Sequence, residues 1–329
     1  MATVLYDTGI NPSLIRARRV AILGFGAQGR AQAMNLKDSG VNVSVGLRAG
    51  SVSRAAAEAA GLRVVEPAAA VAKADIVVLL IPDENQARVY AETIAPGLRK
   101  NGALIFAHGY NIHYRRIIPR ADLDVILVSP SGIGEHVRAE YQADRGVPAL
   151  IAVHQDASGN ARPLALSYAW AQGHGRAGII ESSFREETES DLFAEQTVLC
   201  GGLTHLIVAA FDTLVEAGYA PEVAYFSCLY EVKLIADIIN RKGIASMRES
   251  ISTTAEFGDY TRGPRVIGPA SRAAMKEVLT EIQSGQFATE LENEISAGMP
   301  TVKIARVRAR TQLIETVGKA LRKHLQGSS

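Results

Sequence analysis

The stretch RVAILGFGAQG, residues 19–29, decides the fold of this chain, because an apolar strand runs directly into a glycine-rich turn that opens a helix. In such a turn Gly24 permits a tight bend, Gly26 lets the backbone approach a pyrophosphate, and Gly29 allows the helix to pack closely on the strand. The helix N-terminus then faces the phosphates. The predicted cofactor-binding residues of this turn are Gly24, Phe25, Gly26, Gln28 and Gly29.

Short apolar runs alternate with helical patterns around this stretch, through the first half of the chain. Such alternation is typical of βαβ units that build a doubly wound, parallel sheet. The predicted strands span residues 19–26, 41–47, 74–81, 102–109, 124–129, 149–155 and 177–184, and the predicted helices span residues 27–39, 85–92 and 160–172.

The second half of the chain has a different texture. Residues 191–217, 221–242 and 271–282 repeat their apolar positions with the 3.6-residue period of a helix and contain few strand signals. The first of these segments is apolar around much of its circumference, which favours burial in a helical core or a subunit interface. We predict an all-helical second half.

Composition excludes several classes of protein. A chain of 329 residues is longer than one hydrophobic core usually serves, so two domains are expected. The net charge of +1 gives no electrostatic case for a nucleic acid or an anionic membrane as partner. Two cysteines outside any CxxC pair favour a reducing compartment. We recognise no leader segment and no apolar run of about 20 residues, so we expect a soluble cytoplasmic protein.

The end of the second predicted strand indicates which nucleotide is bound. An NAD site would place an acidic residue there, roughly 20 residues after the glycines, to accept the ribose hydroxyls. This chain carries Arg48, Ser51 and Ser53 instead. A guanidinium and two hydroxyls suit a 2′-phosphate, so these three residues are predicted to bind NADP(H).

Five further stretches, together with the glycine turn, resemble the ketol-acid reductoisomerase family in its short form with one helical domain. These stretches are NLKDSG (35–40), FAHGYNIH (106–113), VPALIAVHQ (147–155), ETESDLF (187–193) and SIS (250–252). The resemblance implies a Rossmann-like α/β domain over residues 1–182 and an all-α domain of the knotted reductoisomerase type over residues 183–329. It also implies that two Mg²⁺ ions drive an alkyl migration in an acetohydroxy acid, and that NADPH then reduces the resulting 2-keto group.

The resemblance also assigns roles to single residues. Asp191 and Glu195 match metal-binding carboxylates of the family, and their spacing puts both on one face of a helix. Glu231 matches a further metal ligand that also contacts the substrate. His108 matches a catalytic residue near the nicotinamide, and Ser252 matches a serine that contacts the substrate carboxylate. Without the resemblance, we would favour the explanation that the acidic residues Glu186, Glu187, Glu189 and Asp191 only stabilise a helix N-terminus.

Two positions depart from the family pattern. Ser227 stands where the family has a glutamate metal ligand, so we expect at most one Mg²⁺ to bind with full affinity. Ser131 stands where the family has its active-site lysine. Losing a cation and an anion from one pocket should weaken a migration that depends on charge stabilisation.

Three functions remain open from the sequence. The first is an NADPH-dependent reductase that acts on the C=O or C=N of a small carboxylate-bearing substrate, with alkyl migration altered or lost. The second is an authentic ketol-acid reductoisomerase of branched-chain amino-acid biosynthesis. The third is a catalytically silent cofactor-binding protein. The resemblance also implies a knotted homodimer, in which the Glu231 and Ser252 region of one chain completes the site formed by Asp191 and Glu195 of the other.

Overall fold

The computed structural model describes residues 3–326, so residues 1–2 and 327–329 of the two predicted domains lie outside it. The chain divides after Ser190 into two compact units. The strands are β1 (Val4–Leu5), β2 (Arg19–Leu23), β3 (Asn42–Gly46), β4 (Arg63–Val65), β5 (Ile76–Leu79), β6 (Ala103–Phe106), β7 (Asp124–Pro130), β8 (Ala149–Gln155) and β9 (Ile179–Glu181). The helices up to the last strand are α1 (Ser13–Arg16), α2 (Ala27–Asp38), α3 (Arg54–Ala59), α4 (Pro67–Lys73), α5 (Asp83–Val89), α6 (Ala95–Gly97), α7 (Tyr110–His113), α8 (Gly134–Gln142) and α9 (Ala161–Ala171).

The strands of the first unit form one sheet in the order β1-β9-β8-β7-β6-β5-β2-β3-β4. Each neighbouring pair among β2 to β7 is parallel. β8 runs antiparallel to β7, and β1 runs antiparallel to β9. The carboxyl ends of β2, β3, β5, β6 and β7 therefore meet at one edge, where ligands bind in open α/β sheets.

Both faces of this sheet are buried. Val20 and Ile22 of β2 belong to one hydrophobic cluster, and Ala21 and Leu23 belong to another on the opposite side. Successive side chains of a strand point to opposite faces, so a strand that is apolar at every position needs cover on both. Helices on the two faces provide that cover, as the doubly wound prediction requires.

The sequence placed seven of these strands correctly and missed two. β1 and β4 are short, and the prediction does not include them. The doubly wound sheet is confirmed, and within it the sequence does not indicate that β8 runs antiparallel to β7 or that β1 runs antiparallel to β9. Apolar content alone does not encode strand direction, because it reports only that both faces are covered.

The second unit contains helices and no strand within its described residues, as predicted. Its helices, including the one that crosses the division, are α10 (Phe184–Ala194), α11 (Gly201–Glu216), α12 (Pro221–Tyr225), α13 (Val232–Glu249), α14 (Thr253–Val266), α15 (Pro269–Ser284), α16 (Gln286–Ser296), α17 (Pro300–Thr311) and α18 (Leu313–Gln326). A small core of this unit gathers around Phe211 and Tyr225, which pack with Ile314 and Val317 of α18.

One helical run of the second half corrects an expectation from the sequence. From Phe184 to Glu216 the chain is continuously helical, and by length and composition alone this run could cross a membrane, with a mean hydropathy of 1.8 in its most apolar window. The expectation that no apolar run reaches that length is therefore wrong. Helices that pack against other protein surfaces pass the same criteria, so the finding is weak evidence for a membrane.

The division between the units falls inside α10, because Ser190 and Asp191 are consecutive residues of that helix. The last strand ends at Glu181 and α10 begins at Phe184. The boundary predicted after residue 182 lies between these two elements and stays a prediction.

Candidate active site

The glycine turn after β2 has the geometry that its sequence predicts. Gly24 adopts a φ of +105°, and a Cβ there would lie 2.4 Å from the backbone oxygen of Leu80. A Cβ on Gly29 would lie 2.4 Å from the backbone oxygen of Gly24. A Cβ on Gly26 would meet no atom within 4 Å, so this glycine faces open space at the start of α2. The turn therefore leaves room for a phosphate beside helix N–H groups.

The predicted 2′-phosphate residues lie on the loop after β3, the strand that pairs with β2. The backbone N–H of Ser51 donates to the carbonyl of Arg48 at 3.2 Å, and the N–H of Ser53 donates to the Ser51 hydroxyl at 3.4 Å. The Arg48 side chain is exposed and makes no ion pair or side-chain hydrogen bond with the described residues. Its guanidinium is free to bind an anion at the edge of the sheet.

Ser131 lies on the loop after β7, which packs against the glycine turn. The Ser131 N–H donates to the carbonyl of Pro148 at 2.8 Å. The side-chain amide of Gln28 donates to the carbonyl of Gly132 at 2.8 Å. A Cβ on Gly134 would lie 2.2 Å from the backbone oxygen of Ala27, so the starts of α8 and α2 touch. The predicted role of Gln28 in cofactor binding thus comes with a second one, holding the loop of Ser131.

His108 follows β6 and is held by Glu187 of α10. The His108 Nδ1 lies 3.3 Å from one carboxylate oxygen of Glu187, and the N–H of Gly109 donates to the other at 2.8 Å. The Glu187 side chain is 2 % exposed, against 21 % for His108. Because a carboxylate only accepts hydrogen bonds, Nδ1 carries the proton in this pair.

The sequence did not identify Glu187 as a site residue. It was assigned to the acidic first turn of a helix, which is a stabilising role that needs no partner. Its position four residues before Asp191 was the available signal, because residues at this spacing lie on the same helical face. The burial of its carboxylate against His108 becomes visible only in three dimensions.

A stripe of carboxylates follows this helical face. Glu187 and Asp191 lie one turn apart in α10, and Glu195 follows at the same spacing, where the helix opens into a π-helical turn, Glu195–Leu199. Ligand atoms of His108, Glu187 and Asp191 all lie within 4.8 Å of one another. Carboxylate oxygens are the donors that a hard cation such as Mg²⁺ prefers, so this stripe fits that ion, with the imidazole a less suited donor.

His113 lies one turn of chain beyond His108, at the end of α7. Its Nε2 is 3.5 Å from a carboxylate oxygen of Glu189, which also accepts a hydrogen bond from Arg185 at 2.9 Å. Burial lowers the pKa of His113, partly opposed by the charge of Glu189. This histidine braces α7 against α10.

The remaining predicted residues belong to the second unit, and their side chains are exposed. Ser227 lies in the π-helical turn Phe226–Tyr230, and Glu231 follows it one turn later. Ser252 is the residue before α14, and its hydroxyl accepts a hydrogen bond from the N–H of Ala255 at 3.2 Å. The hydroxyl of Ser252 thus caps a helix, a role that the sequence reasoning did not anticipate.

Comparison with known proteins covers nearly the whole chain. Residues 14–178 match the family described as acetohydroxy acid isomeroreductase, NADPH-binding domain, and residues 184–326 match the family described as ketol-acid reductoisomerase, C-terminal domain. An NADH-preferring ketol-acid reductoisomerase from an uncultured archaeon is 44% identical and superposes with a TM-score of 0.95, over 98% of both chains.

More distant structures share only the fold. A semialdehyde dehydrogenase NAD-binding protein from Cupriavidus necator, in complex with calcium and NAD, is 19% identical with a TM-score of 0.62, over 81% of this chain and 99% of its own. A putative oxidoreductase from Jannaschia sp. CCS1 is 16% identical with a TM-score of 0.59, over 81% of this chain and 97% of its own. These two structures thus share the fold of this chain.

Proposed function

The chain belongs to the ketol-acid reductoisomerase family of NAD(P)H-dependent oxidoreductases, and from that premise we propose that it is an NADPH-dependent reductase with weakened alkyl migration. Its substrate is a small carboxylate-bearing compound with a C=O or C=N group. One contrast carries the proposal. The glycine turn, the loop of Arg48 and the His108–Glu187 pair are all in place. Two neutral serines, Ser131 and Ser227, stand where the family has charged residues.

NADP(H) is held in this proposal by the glycine turn and by Arg48, Ser51 and Ser53. When bound, NADPH supplies the hydride and Mg²⁺ supplies positive charge beside the substrate oxygens. Glu187 orients the His108 ring towards the reacting carbonyl or imine. Reduction needs this orientation and a proton donor, neither of which involves Ser131 or Ser227.

Alkyl migration makes a different demand on the site. Negative charge must move between adjacent substrate oxygens, and fixed positive charge stabilises it. Ser131 offers a hydroxyl in place of the family's lysine, and Ser227 offers one in place of a carboxylate ligand. We therefore propose that one Mg²⁺ at most binds with full affinity, held by Asp191, Glu195 and Glu231, and that migration is the impaired step.

A second candidate is the authentic reductoisomerase of branched-chain amino-acid biosynthesis. The similarity to a ketol-acid reductoisomerase over 98% of both chains favours it, as does the intact carboxylate stripe of α10. In this candidate the two serines are tolerated and both steps run at ordinary rates.

One pair of assays separates these candidates. The full chain with Mg²⁺ and NADPH is given either 2-acetolactate, which needs migration before reduction, or its already migrated isomer, 3-hydroxy-3-methyl-2-oxobutanoate. We expect kcat/KM for the migrated ketone to exceed that for 2-acetolactate by roughly 100-fold, the scale of one lost electrostatic contact. Comparable values for both substrates would establish the second candidate.

The double variant Ser131→Lys with Ser227→Glu provides the matched test. Weakened migration predicts that this variant gains turnover of 2-acetolactate while its reduction of the migrated ketone changes little. Asp191→Asn should lower both activities and the affinity for Mg²⁺, because it removes a carboxylate that we propose to serve any bound ion.

We further propose a cytoplasmic homodimer with an active site shared between chains, and without a nucleic acid or membrane as partner. The near-neutral charge of +1 supports the exclusion of nucleic acid. The exposure of Ser227, Glu231 and Ser252 in the single chain leaves them available to complete the site of a second copy.

A further inference from the structure

We propose that the first unit binds a small organic anion with a branched apolar body in a cavity of about 600 Å³, apart from the proposed reductase site. One wall is α7 with the loop after it, up to Pro119. The second wall is the end of β8, at Val153 and His154, and the third is the start of α10, from Ser183 to Arg185. Cavities that hold small ligands commonly measure roughly 300–1,000 Å³.

The walls of this cavity expose apolar side chains that a folded chain usually covers. Ile118 is 79 % exposed and Val153 is 39 % exposed. Phe184 lines the same cavity and is fixed by edge contacts of its ring with Phe106 and His154. A preformed apolar surface beside charged groups is the usual composition of a small-molecule site.

The charged groups of the cavity carry one sign. Arg115 and Arg185 line it, and among its described lining residues there is no aspartate or glutamate. Arg185 already donates to Glu189 at 2.9 Å. Arg115 is different, because its guanidinium makes no ion pair or side-chain hydrogen bond with any described residue. A carboxylate would therefore find an unshared cation at Arg115.

The backbone of Arg115 marks the end of α7, two residues after its last residue. Its φ is +56°, a conformation that a residue with a Cβ rarely adopts. The Arg115 N–H donates to the carbonyl of Ile112 at 3.1 Å, which holds the loop in this form. A left-handed residue at this place commonly ends a helix, and here it turns the chain from α7 into the loop that lines the cavity.

These features together define the ligand class. The cation at Arg115 selects an anionic head group, and the wall of Ile118, Val153 and Phe184 selects an apolar body next to it. A monocarboxylate of about six carbons satisfies both, whereas a neutral isostere lacks the charge and acetate lacks the body. The residues that line this cavity differ from those of the glycine turn, the Arg48 loop and the carboxylate stripe.

The test is a ligand-observed saturation-transfer NMR titration of the full chain with 4-methylpentanoate, 4-methylpentanamide and acetate. We expect saturable binding of 4-methylpentanoate, and binding at least tenfold weaker for the other two probes. Arg115→Gln should weaken the binding of 4-methylpentanoate by roughly tenfold, as expected for a lost charge-assisted hydrogen bond. Ile118→Glu should weaken it similarly, because it puts a carboxylate in the apolar wall.

Two controls make the result decisive. Arg18→Gln removes an exposed arginine elsewhere in the unit and should leave binding unchanged. His108→Gln alters the proposed reductase site and should also leave binding unchanged. The proposal is overturned if the unmodified chain does not bind 4-methylpentanoate, which includes the case of a second copy covering the cavity. Binding that persists in Arg115→Gln and Ile118→Glu, or that disappears in His108→Gln, also overturns it.

Discussion

Glu187 has both carboxylate oxygens engaged, one near His108 and one by the N–H of Gly109. Replacing it with glutamine turns half of the acceptor into a donor, so the His108 ring loses its orienting partner. We expect Glu187→Gln to lower kcat for ketone reduction by about 10- to 100-fold, less than the roughly 10²–10⁴-fold of a general acid or base itself, because Glu187 acts through His108. Steady-state assays at saturating NADPH measure this. Glu186→Gln, on the same helical turn but bonded to Ser182, is the matched control and should retain activity.

Arg48 lies exposed on the loop after β3, without a side-chain partner among residues 3–326. If it binds the 2′-phosphate, Arg48→Gln should raise KM for NADPH by roughly tenfold or more and leave KM for NADH nearly unchanged. Arg63→Gln, on the neighbouring strand β4, is the control. An equal rise in KM for NADPH and NADH would mean that Arg48 does not bind the 2′-phosphate.

His174 makes the stability of the fold depend on pH. It is fully buried, its Nδ1 lies 2.9 Å from the carbonyl of Val147, and its Nε2 has no hydrogen-bond partner in the described part of the chain. Burial lowers its pKa to about 4 from 6.5. Below pH 6.5 the unfolded chain takes up a proton that the folded chain does not, so stability is lost as pH falls towards the folded pKa.

We therefore expect His174 to lower the free energy of unfolding by roughly 2–3 kcal/mol when the pH falls from 7.5 to 4.5. Guanidinium titrations at the two pH values measure the drop. In His174→Gln the difference between the two pH values should shrink by that amount. His136→Gln, at an exposed position, should preserve the wild-type difference.

Residue roles were predictable where local backbone geometry decides them. The tasks of Gly24 and Gly29 follow from steric limits within one turn, and the structure has that geometry. The pairing of Glu187 with His108 was not predictable, because it joins positions 79 residues apart. The hydroxyl of Ser252 was expected to contact substrate, and its bond to Ala255 depends on where α14 begins.

At the level of elements, α2 and α8 meet at their first residues, and this contact joins the cofactor edge to the loop of Ser131. Gly134→Ala would place a Cβ 2.2 Å from the oxygen of Ala27, so the two helices must move apart. We expect a loss of about 1–3 kcal/mol in stability and weaker NADPH binding, measured by melting and by fluorescence titration. Gly132→Ala, where a Cβ would lie 3.4 Å from His136, should cost much less.

Elements with strong patterns were predictable, and those defined by pairing were not. Residues 149–155 were predicted as a strand, and β8 has those bounds. Its antiparallel direction next to β7 depends on the path of the connecting chain, which hydrophobicity does not encode. β4 has three residues, only partly buried, and its strand character comes from pairing with β3.

At the scale of the whole molecule, the helical run Phe184–Glu216 has too much apolar surface for a single chain. Only 6% of its most apolar window is buried, and Val198, Leu199 and Leu206 are 53 %, 60 % and 44 % exposed. Exposed patches of this kind mark interaction sites, and obligate interfaces are the most apolar of these. A second copy of this chain is the occupant that we propose for this surface.

Charges placed on this surface should prevent the assembly of two chains. Leu203→Glu with Leu206→Glu puts two charges into the apolar face of α11, where burial against a partner would leave them unpaired. Sedimentation should then detect the 35.1 kDa chain as a monomer, whereas the unmodified chain sediments at twice that mass or more. If the active site is shared between chains, the same variant loses turnover as well as assembly. Glu216→Lys, at the end of the same helix, should keep both properties. A monomeric but fully active double variant would mean that each chain builds its site alone, and that the exposed Ser227 and Glu231 do not serve a neighbouring copy.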